Sequence, residues 1–293
     1  MPDKSMSTRK NKKKKSVCSR AIKKNGQTCY SNKALEDMKR IWNMRRPDMK
    51  ITGSNPTEIW KALRERMSNT CSTERCWIRH KIISSGLDEE TLQYTFAPEA
   101  PKSWSQNPTE WLTNYDIEKV MYQYEHHYPS FLFIGPTPID FDTRKDHGKC
   151  VWDELCMFDL SYHIRRGKNK IGIVFNTDPH DKDGEHWISV FIDASSKSPF
   201  VFFFDSAGDP PPKEVKLLSE RILSQARDIG LNMKYYENHP FEHQKGDTEC
   251  GVYSIYMISE VLIGRKKPMD FKKRVVSDIE MQKLRDKLFN KPL

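Results

Sequence analysis

Between residues 131 and 204 the chain carries four short runs of β-branched and aromatic residues, at 131–134, 171–175, 187–192 and 200–204, each bounded by turn-forming residues. Runs this short fit strands of a pleated sheet and fall short of core helices. Helical periodicity surrounds them, at 116–125, 214–227 and 279–288. Val252, Ile255, Tyr256, Ser259 and Leu262 also recur at helical spacing behind Cys250. A further strand is expected at 233–236. Strands followed by helices predict an α+β domain, not a doubly wound sheet.

Ahead of this region two amphipathic helices are expected at 34–46 and 56–67. The second has a well-marked start: Asn55 can cap, Pro56 suits the first helical position, and Glu58 stands where a capping box needs it. A stretch rich in Pro, Ser, Asn and Trp at 97–108 reads as a linker. The expected organisation is a basic disordered tail at 1–30, a helical region at 31–104 and a larger domain at 105–293.

Charge is placed unevenly. The 293 residues carry a net +9, and residues 1–30 hold ten Lys or Arg against one acid, Asp3, so the rest of the chain is neutral. Such a tail suits contact with nucleic acid or another polyanion through counterion release, and equally a solvated arm or a nuclear localisation signal. It does not identify a domain that reads nucleic acid. No apolar run approaches the roughly 18–20 residues of a bilayer span. Residues 1–16 lack the apolar segment of a secretory signal, and both Asn-X-Thr matches contain the disqualifying Pro. A soluble protein inside the cell is the expectation.

Cys18, Cys29, Cys71, Cys76, Cys150, Cys156 and Cys250 are an odd number, so at least one thiol is expected free. The first four could form a thiolate zinc site, although the two-residue spacing of zinc ribbons is missing; packing roles or a disulfide staple fit better.

Cys250 precedes Gly251 and an amphipathic helix, and a thiol at a helix N-terminus is favoured as thiolate. On its own a lone cysteine is more often buried filler. A nucleophilic thiol needs a base, and His186 stands at the start of the third run after the turn-rich 178–185. Asp205 ends the fourth run, where antiparallel neighbours would bring it beside a strand-start histidine. Taken alone, it is an ordinary turn-initiating Asp. Gln244, on the polar turn before Cys250, could join the Cys250 N–H in stabilising an oxyanion. The spacing of Asp178, His180, Asp181, Asp183 and His186 matches no hard-metal loop, and no cofactor or metal is expected. What carries weight is the ordered set His186, Asp205, Gln244 and Cys250, each at an element boundary.

Gly184-Glu185-His186-Trp187, Phe204-Asp205-Ser206, and Gln244 followed by Glu249-Cys250-Gly251-Val252-Tyr253 resemble the signature of the SUMO-deconjugating and adenovirus-type cysteine proteases. Trp111 to Ile117, Phe175 to Asp178 and Phe204 to Gly208 are similar to the polyprotein-processing branch of large nucleocytoplasmic DNA viruses. The resemblance covers about 105–265. It implies that family's α+β fold, with the nucleophile at a helix N-terminus, and cleavage of structural polyproteins after Gly-Gly during virion maturation. By position Cys250 would be nucleophile, His186 base and acid, Asp205 its orienter and Gln244 the oxyanion donor. Trp187 would roof a narrow channel, and Asn176 would contact substrate. Some viral members carry Asn where this chain has Asp205. The implied setting is the virion and host cytoplasm. Two alternatives stay open: a deconjugase of SUMO or ubiquitin, and a non-enzymatic virion protein that binds nucleic acid through residues 1–30.

Overall fold

The structure is a computed structural model and describes residues 16–22, 26–145, 148–195 and 197–292. The lysine-rich run on which the polyanion reading rests, at 4–15, lies outside the described residues. The chain divides into two compact units, Met1–Ala97 and Pro98–Pro292.

The first unit is helical: α1 (Asn32–Arg45), α2 (Pro56–Met67), α3 (Glu74–Trp77), α4 (Lys81–Ser84) and α5 (Glu89–Tyr94). Asn55 caps α2 by accepting from the Glu58 N–H at 3.0 Å, while the Glu58 carboxylate reaches one residue further back than expected, to the Ser54 N–H at 3.0 Å. Leu35, Met38 and Trp42 of α1 pack with Ile59, Leu63 and Met67 of α2 and with Tyr30, Trp77 and Phe96. The expected tail at 1–30 is therefore too long. Tyr30 is fully buried between Trp77 and Phe96, and Cys18 bridges Phe96 and forms a disulfide with Cys29. Cys71 and Cys76 form a second disulfide. With their sulfurs paired, these four cysteines are not zinc ligands.

The second unit runs α6 (Asn114–His127), β1 (Phe131–Pro138), α7 (Asp153–Cys156), α8 (Leu160–Arg165), β2 (Lys170–Asn176), β3 (Trp187–Asp193), β4 (Phe200–Phe204), α9 (Lys213–Asp228), β5 (Lys234–Glu237), α10 (Cys250–Leu262) and α11 (Asp278–Leu288). Its boundary lies ahead of the expected 104/105. Asn290 pairs by backbone with Pro98 and Ala100, and Trp104 packs edge-on against Phe289. The supposed linker is thereby bound into this unit.

The five strands form one mixed sheet in sequence order. β1–β2 and β4–β5 are parallel, joined through α7–α8 and α9, whereas β2–β3 and β3–β4 are antiparallel. Alternation along the strands separates two buried faces. Ile171, Ile173 and Phe175 of β2, Ile188, Val190 and Ile192 of β3, and Val201 and Phe203 of β4 pack with Val215, Leu218 and Ile222 of α9. Gly172 points to the other face, where a side chain would stand 2.8 Å from Ile258 of α10 and 3.0 Å from Phe131. Burial on both faces explains why these strands read as continuous apolar runs. It also fixes α10, and the residue at its start, against the middle of the sheet.

Gly172→Val should force α10 off the sheet, and overpacking of this kind costs about 1–3 kcal/mol. The expected readout is a lower denaturant midpoint at unchanged slope.

Candidate active site

The turn from β2 into β3 delivers His186. Asn176, the last residue of β2, accepts at Oδ1 from the N–H groups of Asp178 at 2.9 Å and Glu185 at 3.1 Å. Gly184 adopts φ +97° and lies so close to Asn176 that a Cβ would stand 2.7 Å from its Nδ2, so this turn needs glycine. Thr177 N–H donates to the His186 carbonyl at 2.9 Å, closing the turn at the histidine. Asn176, expected as a substrate contact, thus spends its oxygen on the turn that places His186.

Asp205 follows β4 and is 3 % exposed. Its Oδ1 lies 2.7 Å from His186 Nε2 and accepts from the Ala207 N–H at 2.9 Å. Asn238, fully buried beyond β5, clamps the Asp205 peptide from both sides: its Oδ1 accepts from the Asp205 N–H and its Nδ2 donates to the Asp205 carbonyl. The carboxylate is held in place before it meets the histidine.

Cys250 is the first residue of α10, 2 % exposed, and among the described residues the free cysteine, with Cys150 and Cys156 joined in a third disulfide. No side chain caps α10, which leaves its first N–H groups pointing out of the helix at the sulfur's level. The Cys250 side chain interacts with the His186 ring that bonds Asp205. With Nε2 on the carboxylate, Nδ1 is the nitrogen left for the sulfur. Burial alone would lower the imidazole pKa, but the bonds to Asp205 and Cys250 outweigh it and raise it to about 10. The folded value therefore exceeds the unfolded one near 6.5, so the charged ring stabilises the fold fully below about pH 6.5, and that contribution fades as pH rises towards 10.

Gln244 is buried on the loop before α10. Its Oε1 accepts from Ser206 Oγ at 2.8 Å, and its Nε2 donates one hydrogen to the Gly246 carbonyl at 2.8 Å. The carbonyl end is thus tied down beside Asp205, and the NH2 end keeps a second hydrogen to give. Trp187 donates from Nε1 to the Leu112 carbonyl at 3.0 Å. Its ring and Leu112 close over Gly251, where a Cβ would meet Leu112 at 3.0 Å and Trp187 at 3.2 Å. The indole and Leu112 therefore sit beside the residue that follows the sulfur.

The structure brings His186 into a hydrogen bond with Asp205 and into interaction with Cys250, with Gln244 tied to Ser206 next to Asp205. The sequence reading missed Asn238 and Ser206. Asn238 sits in no motif, Ser206 stands in one without a role assigned to it, and each matters only through a partner 33 or 38 residues away. Among the described residues no group of three or more His, Cys, Asp or Glu is arranged to hold a metal, and no helix is long and apolar enough to cross a membrane.

Residues 168–292 match the Ulp1 protease family, C-terminal catalytic domain. The chain is a cysteine protease with a Ulp1-like domain over these residues. Among similar proteins, a thiol protease of Acanthamoeba polyphaga mimivirus is 26 % identical over 263 residues, covering 82 % of each chain. The SUMO-1 cysteine protease of African swine fever virus is 28 % identical over 244 residues, 79 % of this chain and 88 % of the relative. The crystal structure of the African swine fever virus protease shares the fold, with a TM-score of 0.63 at 23 % identity over 94 % of this chain and 96 % of that one. The protease domain makes this chain a thiol protease, which displaces the non-enzymatic reading. The family match ends within the second unit and leaves the helical unit outside it.

In the protease domain His186 should keep its proton in a histidine-selective NMR titration until about pH 10. Asp205→Asn, which removes the carboxylate charge that helps to raise this value, should bring the midpoint down. An unchanged midpoint would show that the carboxylate does not hold the ring charged.

Proposed function

We propose that the chain is a processing endopeptidase that cuts viral structural polyproteins after Gly-Gly during virion maturation. The observation that carries this reading is the His186 ring, bonded to a buried carboxylate and to the sulfur at the uncapped start of α10. The Cys250 thiolate attacks the substrate carbonyl and forms the carbon–sulfur bond. The resulting oxyanion accepts from the Cys250 backbone N–H and the second hydrogen of Gln244 Nε2. Protonated His186 gives its proton to the leaving amine as the carbon–nitrogen bond breaks, which leaves a thioester. His186 then takes a proton from water, the resulting hydroxide attacks the thioester, and the released sulfur regains its place beside the imidazolium. Asp205 keeps the ring turned throughout and stabilises it in the steps where it carries the proton.

The preference for Gly-Gly rests on the resemblance in the motifs and on the crowding around Gly251. Trp187 and Leu112 occupy the space beside Gly251, the residue after the nucleophile, so an approaching chain passes best where it carries no side chains. The lysine-rich run at 4–15 would add a contact to nucleic acid or another polyanion, and the place of action would be the virion and host cytoplasm. A second reading has one observation in its favour, the SUMO-1 in the name of an African swine fever virus relative. It keeps the chemistry and makes the substrate a folded modifier conjugate.

Short peptides with Gly-Gly before the scissile bond should be cleaved, and Ala-Ala versions should be cut far more slowly. Cys250→Ala or His186→Ala should each reduce the rate on the order of 10⁴-fold or more, because such residues act as a unit. Asp205→Ala should cost less. Cleavage of folded SUMO conjugates with no cleavage of the peptides would favour the deconjugase, and near-normal activity in Cys250→Ala would remove the assignment altogether.

A further inference from the structure

The segment 244–250 carries both Gln244 and Cys250, yet its tip at 245–247 is exposed and contains Gly246. A tip like this does not hold a donor still by its own packing. Its restraints come from α11. Asp278, the first residue of α11, accepts at Oδ2 from the N–H groups of Lys245 at 3.1 Å and Gly246 at 2.9 Å. Its Oδ1 lies 3.0 Å from the Tyr253 hydroxyl of α10. Gly246 is the residue whose carbonyl accepts from Gln244 Nε2, so Asp278 acts on the Gln244 amide through one residue, Gly246.

Arg285 follows two turns later on the same side of α11. It is 4 % exposed, and it grips the other end of the segment. Its Nε pairs with Glu249 Oε2 at 3.1 Å, and its Nη2 donates to the Thr248 carbonyl at 3.2 Å. Its Nη1 donates to the Glu110 carbonyl, and its guanidinium lies 4.7 Å over the Trp104 ring. Glu249, 1 % exposed, is the residue immediately before Cys250.

We propose that Asp278 and Arg285 are positioning residues, through which α11 clamps segment 244–250 at both ends and holds Gln244 Nε2 and the Cys250 N–H as a preorganised oxyanion pair. This rests on the catalytic roles given above to Gln244 and Cys250. Donors aimed at a developing charge are effective only when they need no reorganisation. The exposed tip would otherwise have to be ordered during the reaction.

The test compares two rates in the full chain: turnover of a Gly-Gly peptide, and alkylation of Cys250 by iodoacetamide. Alkylation uses the sulfur and its imidazole but no oxyanion donor. Asp278→Ala should lower kcat about tenfold to a hundredfold, somewhat less than outright loss of a donor, with KM and the alkylation rate both within about twofold of wild type. Asp278→Asn keeps an oxygen to accept from Lys245 and Gly246 and should recover most of kcat. An unchanged kcat in Asp278→Ala, or an alkylation rate that falls in step with kcat, overturns the clamp at this end. Arg285→Ala strands the buried Glu249 carboxylate and can unfold the chain, so Arg285→Lys is measured beside it. A lysine cannot reach Glu249 and both carbonyls together, so kcat should fall several-fold at an unchanged alkylation rate. Full activity in Arg285→Lys overturns the clamp at the other end. A wild-type chain that is alkylated at Cys250 yet cleaves neither the peptide nor a folded SUMO conjugate overturns the catalytic roles and the clamp with them. An active wild type with an unaffected Asp278→Ala overturns the clamp alone.

Discussion

The imidazole of His186 is held charged between a buried carboxylate and a sulfur, and the rest of the catalytic unit arranges that contact. An isolated imidazole in the same half-buried place would lose its proton more readily. Asp205 and Cys250 reverse the direction. The carboxylate can do this because its own peptide is fixed by Asn238 and its Oδ1 is shared only with the Ala207 N–H. The sulfur can do it because α10 is pinned across the sheet at Gly172 and begins without a cap.

Strand register accounts for the meeting of His186 and Asp205. β3 and β4 are antiparallel with Ser189 opposite Phe204. The start of β3 and the end of β4 therefore share one edge of the sheet, where His186 and Asp205 stand just outside the two strands. The turn closed by Asn176 and Gly184 then decides where the ring stands along that edge. Sheet, turn and helix each contribute one coordinate of a geometry that none of them contains alone.

Much of this was legible in the chain. The four apolar runs are strands because both faces of the sheet are covered, which is the situation that turns alternation into a continuous apolar string. His186 and Asp205 announced themselves as polar residues at the ends of such runs, where a side chain can leave the sheet, and Cys250 as a thiol at the start of a helix. Other features were not legible for equally physical reasons. β1 runs on past 134 to Pro138 with a register shift between Ile134 and Thr137, and two strand pairs are parallel; pairing direction and irregular register are long-range properties. Residues 97–108 have the composition of a linker, yet Trp104 is claimed by Phe289 and Arg285 at the far end of the chain. Cys18 and Cys29 sit in a basic segment but join a packed core through Tyr30 and Phe96. Asn238 and Ser206 look like loop residues until the fold sets them against Asp205 and Gln244.

The most direct measurement is a crystal structure of the protein inactivated by a peptide aldehyde ending in Gly-Gly. The expected result is a carbon–sulfur bond at Cys250, His186 Nε2 still within hydrogen-bond distance of Asp205, and the former carbonyl oxygen facing Gln244 Nε2 and the Cys250 N–H. An adduct on another residue, or one at Cys250 with the His186 ring turned away from Asp205, would contradict it.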